Sequence, residues 1–438
     1  MIRQEKEHDK FPKAPLLKMS DWSFTQSKKV KTLAFYFCFF LLYFIILINN
    51  DINVRLGSIN MTNELFTPFQ INHKTKLQNR LFMAPMTINS SLEDGTVSDQ
   101  EIDYYQARSS HLGMVITSGA YISPEGQAFA NGISAARDSN IPSLHRLASA
   151  IKKEGAKAIF QIYHGGRMAR TNYNENQAIL APSPVKANRP WAHQPKALKE
   201  EDIEDLITNF GQASRRAMQA GFDGVELHGA NTYLLQQFFS PHSNQRTDDW
   251  GNSLENRFEF STRVIKEVQK TVQDMDMEDF LIGYRLSPEE VEAPGIRIED
   301  SLRFIDHLIS AKIDYVHLSV RHYQQASFFV EDNQIEDLPQ LIYQHIAGRV
   351  PLINVGKVRD GQDAQLALKS GDLVAVGRQL LIDPDWPQKI QDGRSDIAQV
   401  VHLNDQDKLA IPDPLWQMIT DQSGWIPVIK GEESKKWN

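Results

Sequence analysis

Short apolar runs alternate with longer amphipathic segments along the chain from Arg80 onward. Eight apolar runs are present, at residues 80–87, 114–122, 157–164, 224–230, 281–287, 315–320, 350–356 and 373–378. Near-continuous apolar runs of this length are typical of buried parallel strands. The segments between them have the periodicity of amphipathic helices. The pattern therefore predicts eight β–α units, and that number of units favours an α/β fold of the closed (β/α)8 TIM barrel type.

An open, doubly wound sheet is the alternative fold for the same alternation. Such folds carry a GxGxxG turn after the first strand, and no such motif follows residues 80–87. Several helical segments also end in Lys or Arg followed by Gly, which is a common helix stop. We therefore expect a barrel domain over residues 61–438.

Residues 1–60 form an extension that differs in composition from the rest of the chain. A basic segment is followed by an uncharged apolar run at residues 33–48, which is slightly short for a membrane span. One interpretation is a membrane anchor, and the preceding basic residues would then place the barrel on the outer side of the membrane. The other is that translation starts at Met61 and the extension results from start-site assignment. We expect a cytoplasmic enzyme, with membrane association only through residues 33–48.

The composition restricts the partners that this protein can have. The 438 residues carry a formal net charge of -8, a single cysteine (Cys38) and 13 scattered histidines. An acidic balance argues against a nucleic-acid partner, because phosphate backbones require a basic surface. One cysteine cannot form a thiolate zinc site or an iron–sulfur cluster within the chain, and no HExxH-type spacing is present. We therefore expect a small-molecule partner and no metal, and the sequence leaves a homo-oligomer open.

Polar residues and glycines follow the predicted strands, at the end of the barrel where active sites of this fold lie. Arg285 stands among apolar residues in LIGYRLS, and an unpaired buried guanidinium is costly. No neighbouring carboxylate is evident from the sequence, so we expect a bound anionic or strongly accepting ligand. The pairs Gly356-Lys357 and Gly377-Arg378 follow strands seven and eight, where the fold usually binds phosphate. Ordinary strand-to-helix turns are the alternative interpretation of these glycines.

His228, Asn231 and Tyr233 lie within six residues of one another at the end of strand four. A neutral imidazole and a carboxamide can donate hydrogen bonds to a carbonyl or anionic oxygen, and a phenol can deliver a proton. The three residues suit the polarisation and protonation of an electron-poor alkene, provided that a hydride source lies opposite. A satisfied histidine, a capping asparagine and a packed tyrosine are the alternative interpretation.

Four motifs in this order give the chain a specific resemblance. They are NRLFMAPMT, QIYHGGR, GFDGVELHGANTYLLQQFFSPHSNQRTDDWGNSLENRF and VGKVRDGQDAQLALKSGDLVAVGRQLLIDPDW. Together they resemble the old yellow enzyme family of FMN-dependent ene-reductases and NADH:flavin oxidoreductases. The resemblance covers roughly residues 65–390 and implies a (β/α)8 barrel that holds one non-covalent FMN.

The resemblance also implies roles for individual residues. Those expected to contact FMN are Pro85, Met86 and Thr87 along the ring, Gly119 and Gln161 at its edge, Arg285 where charge accumulates on reduction, and Gly356, Lys357, Gly377 and Arg378 at the phosphate. His228 and Asn231 are expected to hold the oxygen of the substrate, and Tyr233 to be the proton donor.

The activity implied by the resemblance is ping-pong hydride transfer. NADH or NADPH would reduce FMN, and an α,β-unsaturated carbonyl compound or a related electrophile would then be reduced at its C=C bond. An NADH oxidase or diaphorase that uses oxygen or quinones is the enzymatic alternative. A membrane-tethered flavoprotein that serves mainly as a structural or electron-relay partner is an alternative of a different class, and it would require residues 33–48. A metal- or phosphate-sugar-dependent barrel enzyme lacks support, because no carboxylate cluster follows the strands.

Overall fold

Eight parallel strands form the centre of the computed structural model, which describes residues 64–173, 178–329, 336–421 and 424–429. The strands are β1 (Leu81–Met83), β2 (Met114–Ile116), β3 (Lys157–Tyr163), β4 (Gly224–Gly229), β5 (Leu281–Leu286), β6 (Tyr315–Leu318), β7 (Leu352–Val355) and β8 (Leu373–Val376). Each strand pairs in parallel with the next, and β8 pairs with β1. The sheet is therefore closed, which confirms the predicted barrel and excludes an open sheet.

Helices surround the barrel and follow the strands in sequence. They are α1 (Asp99–Gln106), α2 (Ile141–Lys152), α3 (Glu200–Gln219), α4 (Leu234–Phe239), α5 (Leu254–Asp274), α6 (Ile298–Ser310), α7 (Leu338–Ile346), α8 (Gly361–Leu368), α9 (Arg378–Ile382), α10 (Trp386–Gln391) and α11 (Asp413–Asp421). Side-chain caps fix several starts: Ser98 begins α1, Ser253 begins α5 and Asp360 begins α8, each accepting a hydrogen bond from a backbone N–H of the first turn. The helical segments that were predicted between the strands are confirmed.

The lower interior of the barrel is an apolar core. Side chains that point inward from the strands include Phe82, Ile159 and Leu281, all fully buried. A two-stranded antiparallel hairpin (Phe69–Gln70 with Lys76–Leu77) adds Ile71 and Leu77 to the same cluster and closes the barrel below. The lower half is therefore a packed plug and not a channel.

The upper interior is polar, and this change marks the functional end of the barrel. Gln161, Glu226, Arg285 and His317 are all buried on the inner face near the carboxyl ends of β3, β4, β5 and β6. Buried polar groups persist only where hydrogen bonds or a ligand compensate the lost solvation. Four such residues on adjacent strands therefore indicate a binding site directly above the apolar plug.

Within the described ranges, no helix combines the length and the apolar character that crossing a membrane requires. The predicted extension at residues 1–60 and its apolar run at residues 33–48 lie outside the described residues, so both interpretations of them stay predictions.

Candidate active site

A cavity of about 610 Å³ opens at the carboxyl ends of β1, β5, β7 and β8, and we call it the strand-end cavity. Its volume lies within the range of about 300–1,000 Å³ that is usual for small-molecule sites. Eight of the ten residues that were predicted to contact a cofactor line it: Pro85, Met86, Thr87, Arg285, Gly356, Lys357, Gly377 and Arg378. The fold thus brings together residues that lie up to three hundred positions apart in the sequence.

Arg285 is a buried cation of the strand-end cavity that has an unpartnered N–H group. Its side chain is only 9% exposed, and its Nε atom has no hydrogen-bond partner among the described residues. Burial lowers the pKa of this guanidinium, while the charge of Glu226 acts in the opposite direction. A cation that is buried without hydrogen-bonding partners is costly, so Arg285 is placed to receive an accepting ligand in the strand-end cavity.

The turn after β7 requires its glycine. Gly356 has a φ of +111° and Lys357 follows with a φ of +54°, so two successive residues have positive φ angles. A Cβ atom at Gly356 would also lie 2.7 Å from the backbone nitrogen of His322. Only glycine fits this position, and the tight turn leaves room in the cavity beside it.

Several residues of the strand-end cavity were not predicted from the sequence. Arg321 and Arg359 add further cations to its lining, and Met418 and Trp425 cover it from the C-terminal segment. The apolar pattern of α11 gives a signal for Met418, but no sequence pattern connects that helix with the barrel mouth. The cations concentrate positive charge where a phosphate was expected.

Gly119 and Gln161 do not line the strand-end cavity, although both were predicted to contact the cofactor. They lie together beside it: a Cβ atom at Gly119 would be 3.3 Å from Gln161 Oε1 and 3.1 Å from the ring of Tyr163. The Gln161 amide Nε2 donates a hydrogen bond of 2.7 Å to Glu226 Oε1. The carbonyl oxygen of the Gln161 side chain therefore points toward Gly119.

The expectation that no carboxylate lies near Arg285 was wrong, because the charge of Glu226 acts on this guanidinium. Glu226 is fully buried on β4, two residues before His228, and its Oε2 is 2.8 Å from His317 Nδ1. Burial raises the pKa of Glu226, but the charges of His317 and Arg285 and the hydrogen bonds from His317 and Gln161 together lower the pKa overall. The sequence signal was a charged residue inside an apolar strand, at the spacing that shares a face with His228.

His228, Asn231 and Tyr233, the His–Asn–Tyr cluster, form a second wall beside the cavity. In the strand pairing His228 is the direct neighbour of Arg285. Its Nδ1 accepts a hydrogen bond from the backbone N–H of Ala230, which leaves the proton of a neutral ring on Nε2. Burial, followed by the charges of Arg285 and His317, lowers the pKa of His228 well below its ordinary value. The imidazole is therefore a neutral donor.

The carboxamide of Asn231 is oriented in a similar way. Its Oδ1 accepts a hydrogen bond of 2.9 Å from the hydroxyl of Ser319, and its backbone N–H donates to Ser287 Oγ at 3.0 Å. With the carbonyl end engaged, the Nδ2 hydrogens are the part of the amide that remains to bind another group. Ser319 was not predicted from the sequence.

Tyr233 packs into an aromatic group next to His228. Its ring centroid is 4.8 Å from that of His228, 5.0 Å from that of Tyr163 and 6.3 Å from that of Phe129. Burial raises the pKa of the Tyr233 hydroxyl above its ordinary value. The phenol therefore keeps its proton at neutral pH and can act as a proton donor.

The two walls have complementary chemistry. The strand-end cavity offers cations and backbone for an anionic ligand, whereas the His–Asn–Tyr cluster offers two neutral N–H donors and one O–H donor. Such a set can hold an oxygen atom and protonate a neighbouring carbon.

Both the sequence and the fold are similar to those of known proteins. Residues 64–396 match the sequence model of the NADH:flavin oxidoreductase / NADH oxidase family. A probable NADH-dependent flavin oxidoreductase of Bacillus subtilis is 42% identical over 365 residues, which cover 83% of this chain and 97% of that protein.

An NADH:acrylate oxidoreductase of Vibrio harveyi is also 42% identical, over 347 residues that cover 78% of this chain. The match covers only 34% of that longer protein. Among solved structures, morphinone reductase superimposes with a TM-score of 0.66 at 25% identity, over 84% of this chain and 97% of that chain.

Proposed function

Because the chain belongs to the NADH:flavin oxidoreductase / NADH oxidase family, we propose that it reduces the activated C=C bond of an electrophilic acceptor in ping-pong order. It is an FMN-dependent oxidoreductase that uses NADH or NADPH as reductant. When bound, FMN accepts a hydride from the nicotinamide and supplies it to the acceptor. The class of the acceptor and the ping-pong order of the two half-reactions are our proposals.

The strand-end cavity supports the assignment of the residues that hold FMN. We assign the phosphate to Gly356, Lys357, Gly377 and Arg378, because tight turns beside cations suit an anion. Arg285 is assigned to the electron-accepting part of the ring, since its unpartnered Nε needs an accepting atom. Pro85, Met86 and Thr87 are assigned to the ring face, where they form one side of the same cavity.

The His–Asn–Tyr cluster supports the assignment of the acceptor site. His228 and Asn231 each have their accepting atom already engaged, so both present an N–H group to an incoming oxygen. Two donors to a carbonyl oxygen draw electron density from a conjugated double bond, which makes its far carbon electrophilic. Tyr233 then delivers a proton to the near carbon. This pair of preoriented donors is the observation that carries the proposal.

The chemistry of the acceptor follows from the same groups. Its oxygen must accept two hydrogen bonds, and its unsaturated part must fit beside the rings of Tyr163 and Tyr233. A flat α,β-unsaturated carbonyl compound meets both conditions. The Vibrio harveyi relative is named for acrylate, which belongs to the same class, but that activity is a property of a protein almost three times the length of the match.

Anaerobic spectroscopy of purified protein tests this function. We expect flavin absorbance bands that bleach on addition of NADH and return on addition of 2-cyclohexenone or acrylate. A colourless protein that FMN cannot reconstitute would contradict the cofactor site. Reoxidation by oxygen or a quinone, with none by the unsaturated compounds, would instead support the oxidase or diaphorase alternative.

A further inference from the structure

A connected group of buried polar residues lies on β3, β4 and β6, and its central residue, Glu226, has no role in the assignments above. Glu226 on β4 accepts hydrogen bonds from Gln161 on β3 at 2.7 Å and from His317 on β6 at 2.8 Å. Glu226 and His317 are fully buried and Gln161 is 2% exposed. A buried carboxylate is destabilising unless hydrogen bonds and a nearby opposite charge compensate its lost solvation.

Arg285 lies one layer above this carboxylate. In the strand pairing Glu226 is the neighbour of Gly283, and Arg285 is the next inward-facing residue on the same strand. Gly283 has no side chain, and the ring of Tyr315 fills the space there. The groups that face Glu226 are thus Gln161, Arg285, Tyr315 and His317.

Glu226 does not neutralise Arg285 by direct pairing. Its two oxygens are bound by Gln161 and His317, and the Nε of Arg285 stays without a partner. The carboxylate therefore acts on the guanidinium through space while leaving its N–H groups to the cavity. At the effective dielectric of a protein interior, charges several ångströms apart still interact appreciably.

The surroundings of Glu226 favour its ionised form. Burial lowers the pKa of His317 despite the opposing charge of Glu226. The pKa of Glu226 is lowered as well. At neutral pH Glu226 is therefore a negative carboxylate that accepts a hydrogen bond from His317 Nδ1–H.

We propose that Glu226 is a positioning residue of the FMN site, whose carboxylate fixes the Gln161 amide and offsets the charge of Arg285, so that the reduction potential of bound FMN is kept low. The inference rests on the proposed function. Reduced FMN carries more negative charge than oxidised FMN, so a negative group near the bound ring would disfavour the reduced form, whereas Arg285 alone would favour it. A lower potential makes the cofactor a stronger hydride donor to the acceptor.

Glu226→Gln tests the proposal because it removes the charge and keeps the shape. His317 can change from donor to acceptor at Nδ1, so the new amide can keep both hydrogen bonds. We expect the ratio of apoprotein affinities for reduced and oxidised FMN to rise about tenfold, which corresponds to an upward shift of about 30 mV in a two-electron midpoint potential. Spectroelectrochemistry and titration of the apoprotein with FMN measure the two quantities independently of turnover.

Glu290→Gln is the matched control. Glu290 is also buried and also accepts from a glutamine amide, Gln236 Nε2 at 2.7 Å, but it lies on the segment after β5, outside the barrel interior. We expect its variant to keep the wild-type potential. An equal potential for Glu226→Gln and the wild type, with FMN bound in both, would overturn the proposal.

A second pair of variants keeps the test decisive if Glu226→Gln does not fold. His317→Leu removes one donor from the buried carboxylate, which favours the protonated, uncharged form of Glu226 and should therefore raise the potential. His317→Asn retains an N–H donor and should restore a value near the wild type. Identical potentials for these two variants would also contradict the inference. If the wild type neither binds FMN nor is reduced by NADH, the proposed function itself fails, and that outcome is distinct from an unchanged potential.

Discussion

The strand-end cavity and the His–Asn–Tyr cluster lie side by side at the barrel mouth and differ in charge. The cavity collects Arg285, Lys357 and Arg378, together with tight turns that expose backbone. In the cluster His228 is neutral and Tyr233 is protonated. One wall is thus built to bind an anion firmly, and the other to polarise a neutral molecule and release it.

The two walls are also electrostatically coupled. His228 and Arg285 are direct neighbours on β4 and β5, and the charge of Arg285 helps to keep the imidazole unprotonated. A cationic His228 would bind an acceptor oxygen more strongly, but it would also need desolvation in a site that already holds one buried cation. The barrel therefore places the charged group that binds an anion, Arg285, on β5 and the neutral donor His228 on the neighbouring strand β4.

Removal of the cavity's central cation should give the largest effect. For Arg285→Met we expect the dissociation constant of FMN to rise about a thousandfold, because two charge-assisted hydrogen bonds of about 1.5–3 kcal/mol each are lost. Quenching of FMN fluorescence by the apoprotein measures this. Arg263→Met, which removes a cation bound to Glu204 on the outside of the barrel, is the control. FMN binding that withstood the loss of Arg285 would contradict the assignment of the cavity.

Tyr233→Phe should separate the two walls kinetically. We expect the acceptor half-reaction to slow about a hundredfold, in line with the usual contribution of a general acid. The reduction of the flavin by NADH should change by less than about twofold, because it needs no proton from this phenol. Anaerobic stopped-flow absorbance follows each half-reaction separately. Equal losses in both would show that Tyr233 supports the site structurally and does not donate the proton.

Ser319→Ala tests whether the orientation of the Asn231 amide matters. Without the hydroxyl, the carbonyl end of the amide loses its donor, and the loss of one hydrogen bond of about 1 kcal/mol should raise the KM for the acceptor about fivefold. FMN affinity should not change. Ser310→Ala, on the far end of α6, is a control with a similar change at the surface. An unaltered KM would mean that Asn231 is held by other contacts.

Much of the division between the strand-end cavity and the His–Asn–Tyr cluster could be predicted from the sequence. Parallel strands end at one rim, so residues such as Arg285 and Gly377 could be placed together without any coordinates. The resemblance motifs added the identity of the cofactor. Eight residues that were predicted to contact FMN do share one cavity.

The features of the site that could not be predicted depend on which side chains contact each other across the barrel. Glu226 is separated from Gln161 by 65 positions and from His317 by 91, and no pattern within one strand shows which neighbour a buried carboxylate will choose. Ser319 and Trp425 meet the site from other segments for the same reason. Periodicity predicts the face of a strand, but a hydrogen bond across the barrel is set by the register and twist of the closed sheet.

The smallest expected effect is the response of the acceptor half-reaction to pH. The pKa of His228 is lowered well below 6.5 by burial and by the charges of Arg285 and His317, so the ring gains a proton only at acidic pH. Burial raises the pKa of Tyr233 above 10, so its proton is lost only at strongly alkaline pH.

Between pH 6 and pH 9 neither group of the His–Asn–Tyr cluster should therefore titrate, and the rate of flavin reoxidation by 2-cyclohexenone should vary by less than about twofold. Anaerobic single-turnover rates across that range measure it, and the NADH half-reaction in the same buffers is the control for stability. An inflection near pH 6.5 would show that His228 titrates as an ordinary histidine. The barrel would then not keep His228 neutral beside the buried Arg285.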